Sequence, residues 1–344
     1  MDEGALREVA GTPAYVVGGA VRDELLQRAS VDIDIACRDP RSAAEGYAAR
    51  MGAALFPLSE RFGAWRVALR DGRTVDFTPL RDGVEDDLAT RDFTVNAIAR
   101  PLGSSEYVDP FGGFADLNAG RLRTVGEGVF RDDPLRLLRA VRLERELDFR
   151  LEPASEALVR RDAALVTQAA GERILAELAR MDAVGFRRLG ELGLLGPLGG
   201  SLARLETAAP AEHPDYLLVV VLGRRLLDLP VSRQTRRFAR TLLRAERPDG
   251  GDARSLHRFR RATEPWALEA LAYLGAPELT DAVRAARARD PGKPLLRGDE
   301  LGVPQGPEVG RLLERIAEER AAGTVTTREE ARELVAREAG KRPG

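Results

Sequence analysis

The segment from Tyr15 to Cys37, YVVGGAVRDELLQRASVDIDIAC, constrains the fold of this chain more than any other. An apolar run ends at a pair of glycines, a helical pattern follows, and apolar and acidic residues then alternate. Side chains at positions i and i+2 of a strand share one face, so Asp32 and Asp34 should project together while Val31 and the two isoleucines face the core. The segment therefore predicts a strand, a tight turn, a helix and a second strand with acids on one face.

The same segment combines groups that suit phosphate with groups that suit metal. Two carboxylates at this spacing can hold two hard divalent cations about 3.5–4 Å apart. Gly18 and Gly19 let backbone N–H groups approach a phosphate, and the N-terminus of the next helix favours its negative charge. Arg22, in the first turn of that helix, can donate two hydrogen bonds to phosphate oxygens. A phosphate site and a metal site are thus predicted side by side.

Composition limits the other classes of protein to consider. A chain of 344 residues is long enough for two or more domains with a large core. One cysteine and two histidines exclude a disulfide framework and leave no zinc constellation. The longest apolar run, Tyr216–Leu222, is too short for a membrane span, and the acidic N-terminus lacks a signal pattern, so a cytoplasmic protein is expected. A formal charge of -2 can still conceal a basic groove.

Periodicity divides the chain into two regions. Up to about residue 105, short strand patterns alternate with helical ones, and Asp71-Gly72 marks a hairpin turn. From Phe130 the strand patterns end, and amphipathic helices follow, the first a continuous helix over 132–145. We predict an α+β head with a mixed sheet, followed by an all-α remainder. The predicted bounds are head 1–105, neck 106–180, body 181–290 and tail 291–344.

The pattern G-G-x-V-R-D, a helix and then D-x-D resembles the class II nucleotidyltransferases, the family of CCA-adding tRNA nucleotidyltransferases and bacterial poly(A) polymerases. The resemblance implies a polymerase-β-like head in which Asp32 and Asp34 are catalytic and hold two Mg²⁺ ions. Gly18, Gly19 and Arg22 would hold the triphosphate of CTP or ATP. The implied reaction adds C or A to the tRNA 3′ acceptor end without a nucleic-acid template. The helical body and tail would then hold the acceptor arm by shape, through arginine–phosphate contacts.

Two further stretches resemble family motifs. TRDFTVNA at 90–97 resembles the second motif, in which Arg91, Asp92 and Asn96 would position the nucleotide, although Thr90 stands where many members have an arginine. The same stretch can also be interpreted as a capped helix start. DPFGGFADL at 109–117 resembles the third motif and predicts a hinge with a mechanical role.

DDPLR at 132–136 resembles the fourth motif, Glu-Asp-x-x-Arg. On one helix Asp133 and Arg136 would share a face, and a carboxylate with a guanidinium can read the Watson–Crick edge of cytosine or adenine. The alternative is an ordinary surface ion pair. Glu172 and Arg173 resemble the fifth motif, which in the family braces the helices behind the nucleotide.

Three other side chains are weaker candidates. Asp76 points to the side of its strand opposite Val75 and Phe77, and is either a third carboxylate of the site or an exposed strand acid. Arg139 and Arg142 follow the fourth motif on the same predicted helix and are further candidates for nucleotide binding.

The sequence leaves the product open. Only PLRDGVEDD separates the strand at 73–78 from Leu88, where many CCA-adding members carry a longer flexible loop. In the family, a missing loop accompanies addition of CC alone. The short connection therefore favours CC addition, while CCA addition and poly(A) synthesis remain as alternatives. A catalytically inactive RNA-binding protein is opposed by the intact Asp32 and Asp34. A small-molecule nucleotidyltransferase is opposed by the long helical body.

Overall fold

The computed structural model describes residues 2–59, 63–80, 82–290 and 292–339. The chain divides into two compact units, one up to Leu198 and one from Gly199 onward. The predicted head and neck therefore share the first unit, together with the first residues of the predicted body. Arg81 of the predicted short connection and Pro291 at the predicted tail boundary lie outside the described residues. Within the described ranges, no helix has the length and apolar character needed to cross a bilayer.

A six-stranded mixed sheet forms the base of the first unit. Its strands lie in the order β3-β4-β5-β2-β1-β6, with β2 and β5 parallel and every other neighbouring pair antiparallel. The predicted mixed sheet is thus confirmed. In chain order the strands are β1 (Ala14–Val17), β2 (Asp32–Cys37), β3 (Ala54–Ser59), β4 (Ala64–Ala68), β5 (Thr74–Pro79) and β6 (Ala99–Pro101).

Strand β2 alternates as its sequence predicts. Ile33 and Ile35 are buried, whereas Asp32 is exposed and Asp34 half-buried on the opposite face. Val31 was expected to face the core but is 57% exposed, because the strand begins one residue later. Strand β2 therefore contributes two acidic residues, Asp32 and Asp34, to one face of the sheet.

Ten helices cover the described part of the first unit. Four of them (α1, α3, α8 and α10) begin at a side-chain cap; for example, Asp2 accepts a hydrogen bond from the Ala5 N–H (2.9 Å), and Asp39 from the Ser42 N–H (3.1 Å). The helices are α1 (Glu3–Ala10), α2 (Gly19–Leu25), α3 (Pro40–Met51), α4 (Val84–Ala89), α5 (Gly113–Asn118), α6 (Val129–Asp132), α7 (Arg136–Leu147), α8 (Pro153–Asp162), α9 (Gly171–Leu178) and α10 (Ala183–Glu191).

The predicted continuous helix over 132–145 is wrong. Helix α6 ends at Asp132 and α7 begins at Arg136, with Asp133 extended (φ −144°, ψ 102°) between them. Pro134 accounts for the break, because its ring disfavours a helical conformation in the preceding residue. The predicted all-α neck also contains a short parallel pair, β7 (Arg121–Leu122) with β8 (Arg150–Leu151).

The second unit is helical in its described part. Its helical pattern is interrupted at Gly223 and again at Glu264-Pro265. The helices are α11 (Tyr216–Leu222), α12 (Arg233–Arg244), α13 (Ala253–Thr263), α14 (Ala267–Tyr273), α15 (Thr280–Arg289), α16 (Pro307–Ala321) and α17 (Arg328–Ala339). Helix α16 is joined to α13 by ion pairs, among them Arg254–Glu319 at 2.8 Å.

Candidate active site

Two adjacent parallel strands bring three carboxylates to one face of the sheet. Asp34 of β2 is in register with Asp76 of β5, and Asp32 lies two residues earlier on the same face. Burial raises the pKa of Asp34, as do the negative charges of Asp76 and Asp32, while nearby Arg91 opposes the shift. No described residue donates a hydrogen bond to the Asp34 carboxylate, so its oxygens are available to a ligand.

Asp76 is not an exposed strand acid. It is buried, and Arg66 of β4 donates to both of its oxygens at 2.6 Å. Asp32 is held more loosely, through one hydrogen bond from the Thr74 hydroxyl (2.6 Å). Sequence analysis missed Arg66, although a hairpin centred on Asp71 would have placed it opposite Asp76. The carboxylates left without an arginine partner are Asp32 and Asp34, which suit a divalent cation.

The glycine turn lies directly against these carboxylates. Gly18 has φ +73°, and a Cβ there would lie 3.2 Å from both Asp34 Oδ2 and Arg91 Nη1. A larger residue would therefore be strained and would also displace two charged groups. Arg22 folds back over the turn, since a Cβ on Gly19 would lie 3.4 Å from its Nη2. The structure thus brings together the predicted phosphate-binding and metal-binding residues.

Residues of the second motif form a buried network that links the sheet to the neck. Arg22 donates to Asn96 Oδ1 (2.7 Å), Asn96 Nδ2 donates to Asp92 (2.9 Å), and Arg139 of α7 donates to the other Asp92 oxygen (2.8 Å). Burial opposes ionisation of Asp92. The Arg139 charge and these hydrogen bonds outweigh it and lower the pKa of Asp92 to about 2. Asp92 is therefore an ionised anchor for the side chains around it.

The two residues of the fourth motif do not pair with each other. Arg173 of α9 donates to Asp133 (2.8 Å), and the Asp133 carboxylate also accepts from the Leu135 N–H (3.1 Å). Arg136 instead donates to the backbone carbonyl of Thr90 (2.6 Å). The ordinary i,i+3 ion pair considered as the alternative is therefore absent. The geometry joins the fourth motif to the fifth through Arg173, and to the second through Arg136.

The remaining candidates are structural in their contacts. Arg142 is buried and donates to Glu177 of α9 (2.6 Å) and to Glu146 (2.9 Å), so it braces α7 against α9. Glu172 is exposed on α9, outside this network. In the third motif, a Cβ on Gly113 would lie 2.3 Å from the Thr94 carbonyl oxygen, so only glycine fits this approach.

A mixed sheet that carries paired aspartates beside a glycine turn, followed by helices, defines a nucleotidyltransferase of the polymerase-β-like class. Residues 14–123 match the family model described as the Poly A polymerase head domain. The chain is 34% identical to the A-adding tRNA nucleotidyltransferase of Deinococcus radiodurans, over 96% of each chain. It is 31% identical to the CC-adding tRNA nucleotidyltransferase of Thermus thermophilus, over 93% of this chain and 92% of that protein. The chain therefore belongs to the class II nucleotidyltransferases, the family of CCA-, CC- and A-adding enzymes.

Other similarities are more partial or more distant. The CC-adding tRNA nucleotidyltransferase of Geobacter sulfurreducens is 45% identical to this chain, and the aligned part covers 52% of this chain and 42% of that protein. Among solved structures, a CCA-adding enzyme in complex with CTP superposes with a TM-score of 0.77 at 22% identity, over 99% of this chain and 94% of that one. The Thermotoga maritima CCA-adding enzyme complexed with tRNA gives 0.72 at 23% identity, over 98% and 94%. These structures confirm the predicted fold.

Proposed function

We propose that this protein adds C and/or A to the 3′ end of tRNA, from CTP and ATP, without a nucleic-acid template. The observation that carries the proposal is the juxtaposition of Asp32 and Asp34 with the Gly18 turn and Arg91, in a family member with nearly full-length relatives named for this reaction. In the reaction, the RNA 3′ oxygen bonds to the α-phosphorus of the nucleotide, and the bond to pyrophosphate breaks.

Two Mg²⁺ ions are the proposed cofactors, with Asp32 and Asp34 as ligands. The residues fit this role, because burial and, to a lesser extent, the charges of Asp76 and Asp32 raise the pKa of Asp34, and a bound cation would offset these effects. Magnesium at such a site supplies a lower pKa for the attacking 3′-hydroxyl and charge neutralisation for the leaving pyrophosphate.

The chain's own residues would position the substrates. Backbone N–H groups at Gly18 and Gly19, with the guanidinium groups of Arg22 and Arg91, are proposed to hold the triphosphate. Asp92 keeps Asn96 and Arg139 in fixed orientations beside them. The network thus reduces the side-chain entropy lost when the nucleotide binds.

Base selection is proposed for Asp133 and Arg136. Their current partners, Arg173 and the Thr90 carbonyl, hold the two side chains apart in defined orientations. A carboxylate and a guanidinium fixed in this way can pair with the amino group and the ring acceptor of cytosine or adenine. Guanine and uracil would leave buried polar groups unpaired, which is costly.

The product we favour within this proposal is CC alone. Strand β5 ends at Pro79 and α4 begins at Val84, so only residues 80–83 connect them. Leu88 of α4 is fully buried against the sheet, which anchors the helix that the connection enters. The segment has little length with which to reshape the nucleotide pocket from C to A.

Incubation with a tRNA transcript that lacks CCA tests the proposal. Each nucleoside triphosphate is supplied alone and then CTP with ATP, and the new 3′ ends are sequenced. We expect one or two cytidines from CTP and no product from UTP or GTP. Long adenosine tails from ATP alone would indicate a poly(A) polymerase instead, and no extension under any condition would contradict nucleotidyl transfer.

A further inference from the structure

The face of the sheet that carries the carboxylates extends as far as the edge strand β3. Pairing between the strands places four residues in register across this face, namely Phe56 of β3, Arg66 of β4, Asp76 of β5 and Asp34 of β2. Residues in register project to the same side of a sheet, so their side chains form one row across it. The row runs from an aromatic ring at the edge to the proposed metal ligand.

Phe56 is exposed on this face, whereas the opposite face of the sheet is covered. Helix α3 packs on the opposite face, where the Tyr47 ring lies 5.9 Å from the Phe77 ring, centroid to centroid. Phe77 follows Asp76 on β5 and therefore points away from the row. Phe56 is 41% exposed, and no other aromatic residue in the described ranges is as exposed. A large apolar ring is thus open to solvent on the face that carries the candidate active site.

The ring lies within reach of an RNA end placed for reaction. Neighbouring strands are about 4.8 Å apart, so three strand steps place Phe56 about 14 Å from Asp34. Between them, Arg66 and Asp76 are joined to each other by two hydrogen bonds of 2.6 Å. When the 3′ oxygen of an RNA lies at the metal site, the base of its terminal nucleotide or of the one before it lies within this distance.

We propose that Phe56 stacks on an unpaired base at the 3′ end of the RNA substrate and so positions the attacking 3′-hydroxyl. Unpaired RNA ends are commonly held by stacking on exposed aromatic side chains. Stacking tolerates any sequence, because every base has a π-face. That tolerance suits a reaction in which each addition changes the terminal base. The inference rests on the proposed function and extends it, because it concerns the RNA end and not the incoming nucleotide.

The test removes the ring and then restores a stacking surface. Phe56→Ala and Phe56→Leu both lack the ring, and Phe56→Leu keeps apolar bulk in case the shorter side chain weakens the edge strand. Phe56→Trp keeps a surface on which a base can stack. The matched control is Met51→Ala, which shortens an exposed apolar side chain at the end of α3, on the other side of the sheet. Thermal denaturation verifies that each variant folds.

Steady-state extension with CTP, on tRNA that already carries the first C, gives separate KM values for RNA and for CTP. We expect Phe56→Ala and Phe56→Leu to raise the KM for RNA about tenfold and to leave the KM for CTP unchanged. Phe56→Trp and Met51→Ala should match the unmodified protein. An RNA KM in both ringless variants equal to that of Met51→Ala would overturn the proposal.

Removal of the base from the RNA identifies the contact. The same tRNA is prepared with an abasic residue at the 3′ terminus or one position before it. At the contacted position the abasic residue should raise the RNA KM of the unmodified protein, and Phe56→Ala should then add little, because the same contact is already lost. An effect of Phe56→Ala that stays undiminished with both abasic RNAs would assign the residue a structural role and overturn the proposal.

A binding measurement separates this inference from the proposed function. A fluorescent purine analogue, whose emission is quenched by stacking, replaces the base at either position, and its emission is recorded on binding without nucleotide. We expect quenching by the unmodified protein and by Phe56→Trp, and weaker quenching by Phe56→Ala. This pattern in a protein that extends no 3′ end would contradict the proposed function alone. Equal quenching by all variants, or a loss of dimers in Phe56→Ala with an unchanged RNA KM, would overturn the stacking proposal.

Discussion

At the residue scale, Asp34 is a proposed metal ligand in an environment that disfavours its ionised form. Its pKa is raised by burial and by Asp76 and Asp32, so ionisation of Asp34 disfavours the folded state near neutral pH. Replacement by asparagine keeps the shape and removes the charge. We expect Asp34→Asn to lower nucleotide transfer by at least about 100-fold and to raise the free energy of unfolding at neutral pH.

The pH dependence of that stabilisation follows from the direction of the shift. As pH falls through the raised pKa of Asp34, the wild-type carboxyl becomes neutral and the difference between the two proteins should disappear. Chemical denaturation at several pH values measures it. Asp32→Asn is the control: it should lose transfer with a smaller gain, because Asp32 is exposed and its charge is a lesser cause of the Asp34 shift than burial. An Asp34→Asn protein that is less stable than wild type would contradict this account.

Arg66 should limit the affinity of the site for cations. Its guanidinium binds Asp76 and also lies in the field of Asp32 and Asp34. Arg66→Met should therefore strengthen Mn²⁺ binding by roughly tenfold, since a nearby positive charge is removed and Asp76 is freed. Electron paramagnetic resonance of free Mn²⁺ reports this without RNA or nucleotide.

Substitution of the other member of this ion pair provides an internal control. Asp76→Asn leaves Arg66 unpaired beside the other two carboxylates and should weaken Mn²⁺ binding. The double variant Arg66→Met/Asp76→Asn should have a Mn²⁺ affinity close to that of the wild type, because one positive and one negative charge are removed together. If Arg66→Met bound Mn²⁺ no better than wild type while remaining folded, the guanidinium would not act on the metal site.

At the element scale, the break between α6 and α7 sets the positions of the two residues proposed to select the base. Asp133 lies in the break, held by Arg173 of α9, while Arg136 begins α7. We expect Asp133→Ala and Arg136→Ala to incorporate UTP or GTP, since the hydrogen-bond pattern that rejects them is lost. Competition between nucleotides in single-turnover extension assays measures the selection.

Arg173→Met adds a test of the supporting contact. It leaves both side chains of the proposed reading pair in place but releases Asp133, so selection should loosen less than in the direct variants. Arg180→Met is the matched control, because Arg180 follows α9 and pairs with Glu146 away from Asp133. Unchanged selection in Asp133→Ala and Arg136→Ala, with activity retained, would assign the pair a structural role only.

Local patterns in the sequence were sufficient to predict part of this arrangement. The alternation in β2 and the hairpin at Asp71-Gly72 depend on neighbouring residues, and both are confirmed. The pairing of Asp133 with Arg173 joins residues 40 positions apart, and no local period encodes it. Pro134 restricts the conformation of Asp133 and by itself predicts the break. The amphipathic pattern on both sides of it predicts one continuous helix, and that prediction is wrong.

At the scale of the whole chain, the short connection after β5 bears on the product. Addition of A after CC requires the pocket to change shape without a template, and a mobile segment beside it could bias that change. Residues 80–83 leave little room for such a segment. We expect strong CTP incorporation and weak or absent terminal ATP incorporation by the full chain.

A graft of a longer family loop between Pro79 and Val84 should restore the A step. Sequencing of 3′ ends from tRNA that already carries CC isolates that step from the first two. Efficient completion of CCA by the unmodified chain would contradict the loop argument, while the assignment to tRNA 3′-end synthesis would stand.

The only cysteine of the chain, Cys37, lies fully buried at the end of β2, on the core face that also carries Ile33 and Ile35. Burial, with a smaller effect of Asp39, raises the pKa of its thiol to about 11. Thiol reagents should therefore react with it slowly, because the sulfur is both inaccessible and protonated. Its rate of labelling therefore reports the opening of the central strands. A cysteine introduced anywhere on the surface would be the sole reactive thiol, so probes can be attached without first removing a native one.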